Sequence, residues 1–253
     1  MCDIILLVMK VRRKAILLIH GFVGGTYDYG DLPIKLELIK NFDVYTFTLK
    51  GHEKTIVNNV KYTDWIKDVE RMTEMLISNG YKTIYVIGHS MGGVLASYIA
   101  CKYPKYVKKL VLAAPAFKFF CFNEDRLDIM KSIRKSPEIL GSLPHDEVLS
   151  RLVKTPIPTV IEFTTLVKKY SKCVKEINCP TLIIHGLDDL LVPSDSTDYV
   201  YDNIKSKTNI YVNIPKMNHN CFTGKNTNIV NDSIINFLIH KNKKEKVNIT
   251  LYK

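Results

Sequence analysis

No stretch of this 253-residue chain approaches the eighteen consecutive apolar residues that a membrane-crossing helix requires. The run Ile4 to Met9 has only six residues, with Asp3 before it and Lys10, Arg12 and Arg13 after it, and no small-residue cleavage site follows. It reads as neither signal peptide nor anchor, and a cytoplasmic protein is expected. Paired cysteine motifs are also lacking. The six cysteines (Cys2, Cys101, Cys121, Cys173, Cys179 and Cys221) show no CxxC and no metal-finger spacing. Several stand in apolar company as small core residues, and a disulfide framework is not expected in a cytosolic chain of this size. Neither a metal nor a cofactor is called for.

Charge is present in excess but without pattern. Lysine and arginine number 36 against 25 acids, a net +11, yet the lysines are spread along the chain. No arginine-rich stripe or aromatic-basic RNA motif appears, which argues against a nucleic-acid partner. Weak association with an anionic lipid surface is compatible with the charge. The one dense basic segment is the tail, Lys241 to Lys246, which is expected to fray in solvent.

Short β-branched runs alternate with longer helical patterns. Ile16–Ile19, Val44–Thr48, Ile84–Ile87, Leu110–Ala113, Thr181–Ile184 and Ile210–Ile214 read as buried strands, and runs this continuously apolar suit a parallel sheet covered on both faces. Helical spacing places Trp65, Val69, Met72, Met75 and Leu76 on one face, Val94, Leu95, Tyr98 and Ile99 on another, and Val230, Ile234, Ile235 and Leu238 on a last helix. The expectation is one α/β domain over residues 1–253, an open sheet rather than a barrel. About 117–175 shows no convincing strand but has helical fragments, aromatics and the four prolines Pro137, Pro144, Pro156 and Pro158. Lying between two core strands, it is placed to form a lid over the carboxyl end of the sheet.

Gly88-His89-Ser90-Met91-Gly92 follows the strand Ile84–Ile87 and opens a helix, the strand–turn–helix setting that gives a GxSxG pattern its meaning. Such a turn lifts Ser90 Oγ to the top of the sheet, with the Met91 N–H at the helix start as a donor to an oxyanion. A serine hydroxyl needs a base, and the sequence offers seven histidines. His20 and His185 end core strands; His89 adjoins the serine, with its side chain expected to point away. His52, His145 and His240 fall in a loop, the lid and the end of the last helix. His219 follows the final strand, in the order serine, acid, histidine. Two adjacent carboxylates after the strand at 181–185 compete to orient it, Asp188 and Asp189. Asp189 is preferred, three residues past Gly186 and four before Pro193, with Asp188 bracing the turn. His20-Gly21-Phe22-Val23-Gly24-Gly25 follows an early strand and supplies the second oxyanion donor, the N–H of Phe22, its ring a wall of the site.

Together HGFVGG at 20–25, LKGHE at 49–53, GHSMGG at 88–93, HGLDDLLVP at 185–193 and Asn218-His219 resemble the bacterial carboxylesterases related to monoacylglycerol lipases, in the α/β-hydrolase superfamily. The resemblance covers most of the chain and is weakest in the lid and tail. It implies an α/β-hydrolase fold with a mostly parallel central sheet, helices on both faces and a small helical lid. It also implies Ser90, Asp189 and His219 as a triad with Phe22 and Met91 as oxyanion donors, acting on a small-molecule ester without a cofactor. Two departures stand out: Gly51-His52-Glu53 where the family often has GHG, and Asn218 where it often has Gly or Ser. A serine nucleophile argues against dehalogenases and epoxide hydrolases. Thioesterase, peptidase and acyltransferase chemistry use the same triad, and a non-catalytic ligand-binding homologue is the reading from another class.

Phe117, Phe119 and Phe120, with Phe122, Leu127, Ile129 and Met130, either line a slot for an acyl chain or pack the lid onto the sheet. A lid this small favours short to medium acyl esters or monoacylglycerols over long triglycerides. A chain-length series of p-nitrophenyl esters is therefore expected to peak below palmitate; a peak at palmitate or longer overturns the expectation.

Overall fold

Strands without a polar face must be covered on both sides, and strands of this kind form the centre of a seven-stranded sheet. The computed structural model describes residues 13–54, 56–118, 122–123, 126–127, 151, 154–189, 191–224, 226–241 and 244–251. Its strands are β1 (Lys14–Ile19), β2 (Phe42–Thr46), β3 (Ile84–His89), β4 (Val107–Ala113), β5 (Phe122–Asn123), β6 (Arg126–Leu127), β7 (Thr181–Gly186), β8 (Asn209–Ile214) and β9 (Lys246–Thr250). The helices are α1 (Leu32–Glu37), α2 (Tyr62–Ser78), α3 (Met91–Lys102), α4 (Ile157–Tyr170), α5 (Ser194–Asn203) and α6 (Thr227–Ile239). The main sheet runs β2-β1-β3-β4-β7-β8-β9, and every pairing in it is parallel.

Alternation along each strand divides the core into two layers. In β1, Ile16 and Leu18 pack with Leu32 and Leu36 of α1 and Val230 and Ile234 of α6. Leu17 and Ile19 face the other way, onto Trp65 and Val69 of α2, Leu95 of α3 and Leu166 of α4. Each of these side chains is buried, and each contributes on the order of 1.5–3 kcal/mol by leaving water. α3 ends at Lys102, where Tyr103-Pro104 follows, since the residue before a proline is steered out of the helical region. Among the described residues no helix is long and apolar enough to cross a membrane.

The chain leaves β1 towards β2 on one side and returns to β3 on the other. At that reversal the loops after β1 and β3 face each other at the carboxyl ends of their strands, where open α/β sheets place their ligand crevices.

The structure departs from the sequence reading in two places. The basic tail does not simply fray: Lys246–Thr250 adds β9 to the sheet edge, in register with β8 from Asn209↔Lys246 to Asn213↔Thr250. The backbone of β8 supplies the pairing, and the mostly exposed, lysine-bearing edge conceals the strand from hydropathy. In the lid region, β5 and β6 form an antiparallel pair where no strand was expected; two residues are too few to show a period.

Candidate active site

Ser90 sits where β3 turns into α3, with φ 55 and ψ −120, a left-handed conformation that a non-glycine residue adopts only when its surroundings impose it. They do so through three backbone hydrogen bonds. The Ser90 N–H donates to the Ala113 carbonyl at 3.0 Å, and the Ser90 carbonyl accepts from Gly93 at 2.9 Å and Ala116 at 3.1 Å. The glycines either side make the turn sterically feasible. A Cβ on Gly92 would lie 1.9 Å from the Ile19 carbonyl oxygen, and one on Gly88 would lie 2.2 Å from the Gly92 carbonyl oxygen.

His219 lies in the loop between β8 and α6 and reaches Ser90 Oγ with Nε2 at 3.0 Å. Its Nδ1–H donates to Asp189 Oδ2 at 2.8 Å, which leaves Nε2 as the acceptor for the serine proton. The other carboxylate oxygen of Asp189 accepts the N–H groups of Leu191 and Val192, both at 2.9 Å. Burial by itself would raise the Asp189 pKa; His219 and those two amides outweigh it and hold the carboxyl below its ordinary value. Of the two competing aspartates, Asp189 meets the histidine, while Asp188 is exposed and ties the turn through its N–H to the Met217 carbonyl at 3.0 Å.

The sequence offers two N–H groups, of Met91 and Phe22, as oxyanion donors. Met91 is the first residue of α3, so its N–H has no intrahelical acceptor and stands at the positive end of the helix. Gly21 lies against the serine, since a Cβ there would be 3.0 Å from Ser90 Cβ. The Gly21–Phe22 peptide is held from behind. Leu49 N–H donates to His20 Nε2 at 3.0 Å, which fixes the proton on Nδ1, and Nδ1–H donates to the Gly21 carbonyl at 2.9 Å. In a trans peptide the Phe22 N–H then points to the side opposite His20. The Phe22 ring, expected as a wall of the site, is buried and stacked on Phe163 of α4 at 4.9 Å. Phe117 is buried beside Tyr199, 6.1 Å between ring centres, and Phe119 and Phe120 lie outside the described residues. Among the described residues no group of three or more His, Cys, Asp or Glu is placed to hold a metal ion.

A family model described as serine aminopeptidase, S33, matches residues 10–226. The chain belongs to this family. It is 23% identical over 235 residues to the carboxylesterase of Bacillus subtilis (strain 168), covering 90% of this chain and 94% of that protein. It is 26% identical over 201 residues to the thermostable monoacylglycerol lipase of Bacillus sp. (strain H-257), covering 76% of each. Among solved structures, one of two metagenome-derived lipolytic enzymes superposes with a TM-score of 0.72 at 19% identity, over 90% of this chain and 94% of that one. The fold is the α/β-hydrolase fold.

In this family member Asp28 and the role of His89 escaped the sequence reading. Asp28 follows the Gly24-Gly25 turn, and burial pushes its carboxyl up to about 6 against the opposing pull of the Gly25 amide, His219 and the Gly21 amide. No motif marks it; its only signal is an acid just after a glycine-rich loop. His20, at the end of a core strand, makes local hydrogen bonds, one of them to the Gly21 carbonyl, whereas His89, expected to point away from the serine, places Nε2 on the His219 carbonyl.

Buried imidazoles make the site sensitive to acid. Burial, with the neighbouring His52, lowers His20 to about 3; burial, with His219, lowers His89 to about 3; and burial lowers His52 to about 4. An unfolded chain takes up these protons near the ordinary 6.5, so between that value and the folded ones it binds more protons than the folded protein. Stability is therefore fully present above 6.5 and falls as the pH drops from there towards 3. Urea midpoints measured from about pH 7 to about pH 4 are expected to fall steadily, and the slope to lessen in His52→Phe; a flat profile contradicts the assignment.

Proposed function

We propose that the chain cleaves carboxylic esters, short to medium acyl esters or monoacylglycerols, through an acyl-enzyme on Ser90. The observation that carries the proposal is the unbroken line of hydrogen bonds from Ser90 Oγ through His219 to Asp189, at 3.0 and 2.8 Å. His219 Nε2 takes the serine proton as Oγ adds to the ester carbonyl, and Asp189 stabilises the imidazolium so formed. The N–H groups of Phe22 and Met91 hold the tetrahedral oxyanion, each worth about 10²–10³ in turnover. His219 then protonates the departing alcohol, the C–O bond breaks, and water attacks the acyl-enzyme with the same base to release the acid. The names of the two Bacillus relatives, a carboxylesterase and a monoacylglycerol lipase, support the ester class.

Residues of about 117–175 serve in this reading as a lid, of which α4 rests on the Phe22 loop through Phe163. Esters of this class collect at lipid surfaces, and the net charge of +11 favours a weak, salt-sensitive meeting with anionic ones in the cytoplasm. The family's description favours one second reading, cleavage of an amide at a peptide amino terminus.

Rates on p-nitrophenyl butyrate and on aminoacyl p-nitroanilides separate the two readings, ester turnover being expected to dominate. Ser90→Ala is expected to lower kcat by about 10⁴-fold or more, and Asp189→Asn by about 10⁴-fold. Asp188→Asn is expected to stay near wild type. Faster anilide than ester cleavage, or equal losses in Asp188→Asn and Asp189→Asn, would count against the proposal.

A further inference from the structure

His219 is carried by a loop, and a loop by itself does not hold an imidazole to within a few tenths of an ångström of two partners. Among the described residues of 215–226 none lies in a helix or strand, and the backbone takes positive φ at Lys216 and Gly224. What fixes the histidine's backbone is a donor from across the site. His89 Nε2 lies 3.0 Å from the carbonyl oxygen of His219, 130 residues away in the chain. The carbonyl also accepts the Cys221 N–H at 2.9 Å, which closes a tight turn around the histidine. Residue 89 immediately precedes Ser90 at the end of β3, a strand buried along its whole length between β1 and β4.

The chemistry of His89 suits that task. Nε2 can bond a carbonyl only as a donor, so the neutral ring carries its proton there and Nδ1 is bare. Nδ1 is buried without a hydrogen-bond partner and faces the oxyanion loop, 3.4 Å from where a Gly21 Cβ would stand. The ring is packed between His219, 5.0 Å between centres, and Phe222, 5.6 Å away edge-on. A side chain 5% exposed and wedged in this way has one orientation available, and in it the donor meets the base's own main chain.

We propose that His89 is a positioning residue for the base: its Nε2–H holds the His219 carbonyl, so that the His219 ring spans Ser90 and Asp189 at once. The proposal rests on the reading of Ser90 and His219 as nucleophile and base. In the GxSxG turn the residue before the serine then has a defined task, coupling the nucleophile's strand to the base's loop through one hydrogen bond. An ångström of misplacement at a reacting group costs about 10²-fold in rate. Because ground-state binding is untouched, the cost falls on kcat rather than KM.

The test compares His89→Phe, which keeps a ring and loses the donor, with His89→Gln, whose amide nitrogen falls near the position of Nε2. Each is measured for kcat and KM on p-nitrophenyl butyrate, for melting temperature, and for the downfield proton resonance of the His219 Nδ1–H. The expected result is a folded His89→Phe with kcat lower by about 10²-fold, KM within about twofold and a broadened Nδ1–H resonance. His89→Gln is expected within about fivefold of wild type with the resonance restored. A His89→Phe as active as wild type overturns the proposal, and so do equal losses in Phe and Gln. Should His89→Phe not fold, His89→Asn replaces it: its amide is one bond too short for the carbonyl, so Gln active and Asn impaired is expected, and equal activity overturns. A wild type without any ester turnover fails the underlying reading instead, which the wild-type assay shows before any variant is made.

Discussion

The first turn of α3 passes so close to the end of β1 that residue 92 has no room for a side chain, a Cβ there falling 1.9 Å from the Ile19 carbonyl oxygen. The rest of the site depends on that contact. It presses the start of α3 against the end of β1 and the loop that follows, where Gly21 lies against Ser90. It also leaves Ser90 no relaxed way from strand to helix, and the residue takes up φ 55 with its N–H tied to Ala113. The strain is borne by the parallel sheet behind it, whose strands bury both faces against helices.

A second regularity is the use of neutral, buried imidazoles as fixed donors. His20 holds the Gly21 carbonyl from one side of Ser90, and His89 lies against the His219 carbonyl on the other. Burial keeps both uncharged at neutral pH, so they add oriented dipoles to the site without adding charge that would compete with His219. In a low-dielectric setting a fixed dipole needs no reorganisation when charge develops beside it. The ionised group is placed elsewhere: Asp189 is buried but receives three hydrogen bonds, one from His219 and two from backbone amides.

Much of this was legible in the sequence because it rests on local patterns. Six of the seven sheet strands carry a short, mostly apolar run of β-branched, aliphatic or aromatic residues, and the GxSxG turn announces itself through glycines that the close packing of α3 demands. The choice between Asp188 and Asp189 followed from spacing, and it is Asp189 that the structure joins to His219. What stayed hidden depends on long-range contact. The link between His89 and His219 joins residues 130 apart, and no local feature distinguishes this histidine from one that merely fills a core. β9 exists because β8 offers its backbone as a template, and its own sequence, Lys-Val-Asn-Ile-Thr, looks like a solvated tail. Asp28 is an ordinary turn aspartate until the fold brings it within electrostatic reach of His219.

The central claim is that Ser90 is an activated nucleophile. Intact mass after incubation with a fluorophosphonate, on the wild type and on Ser90→Ala, tests it most directly, because the probe reacts only where a serine hydroxyl has a working base and an oxyanion site. The account predicts a single phosphonyl adduct on the wild type, mapped to Ser90, and none on the variant. A folded wild type that stays unlabelled, or a variant that labels equally well, would contradict it.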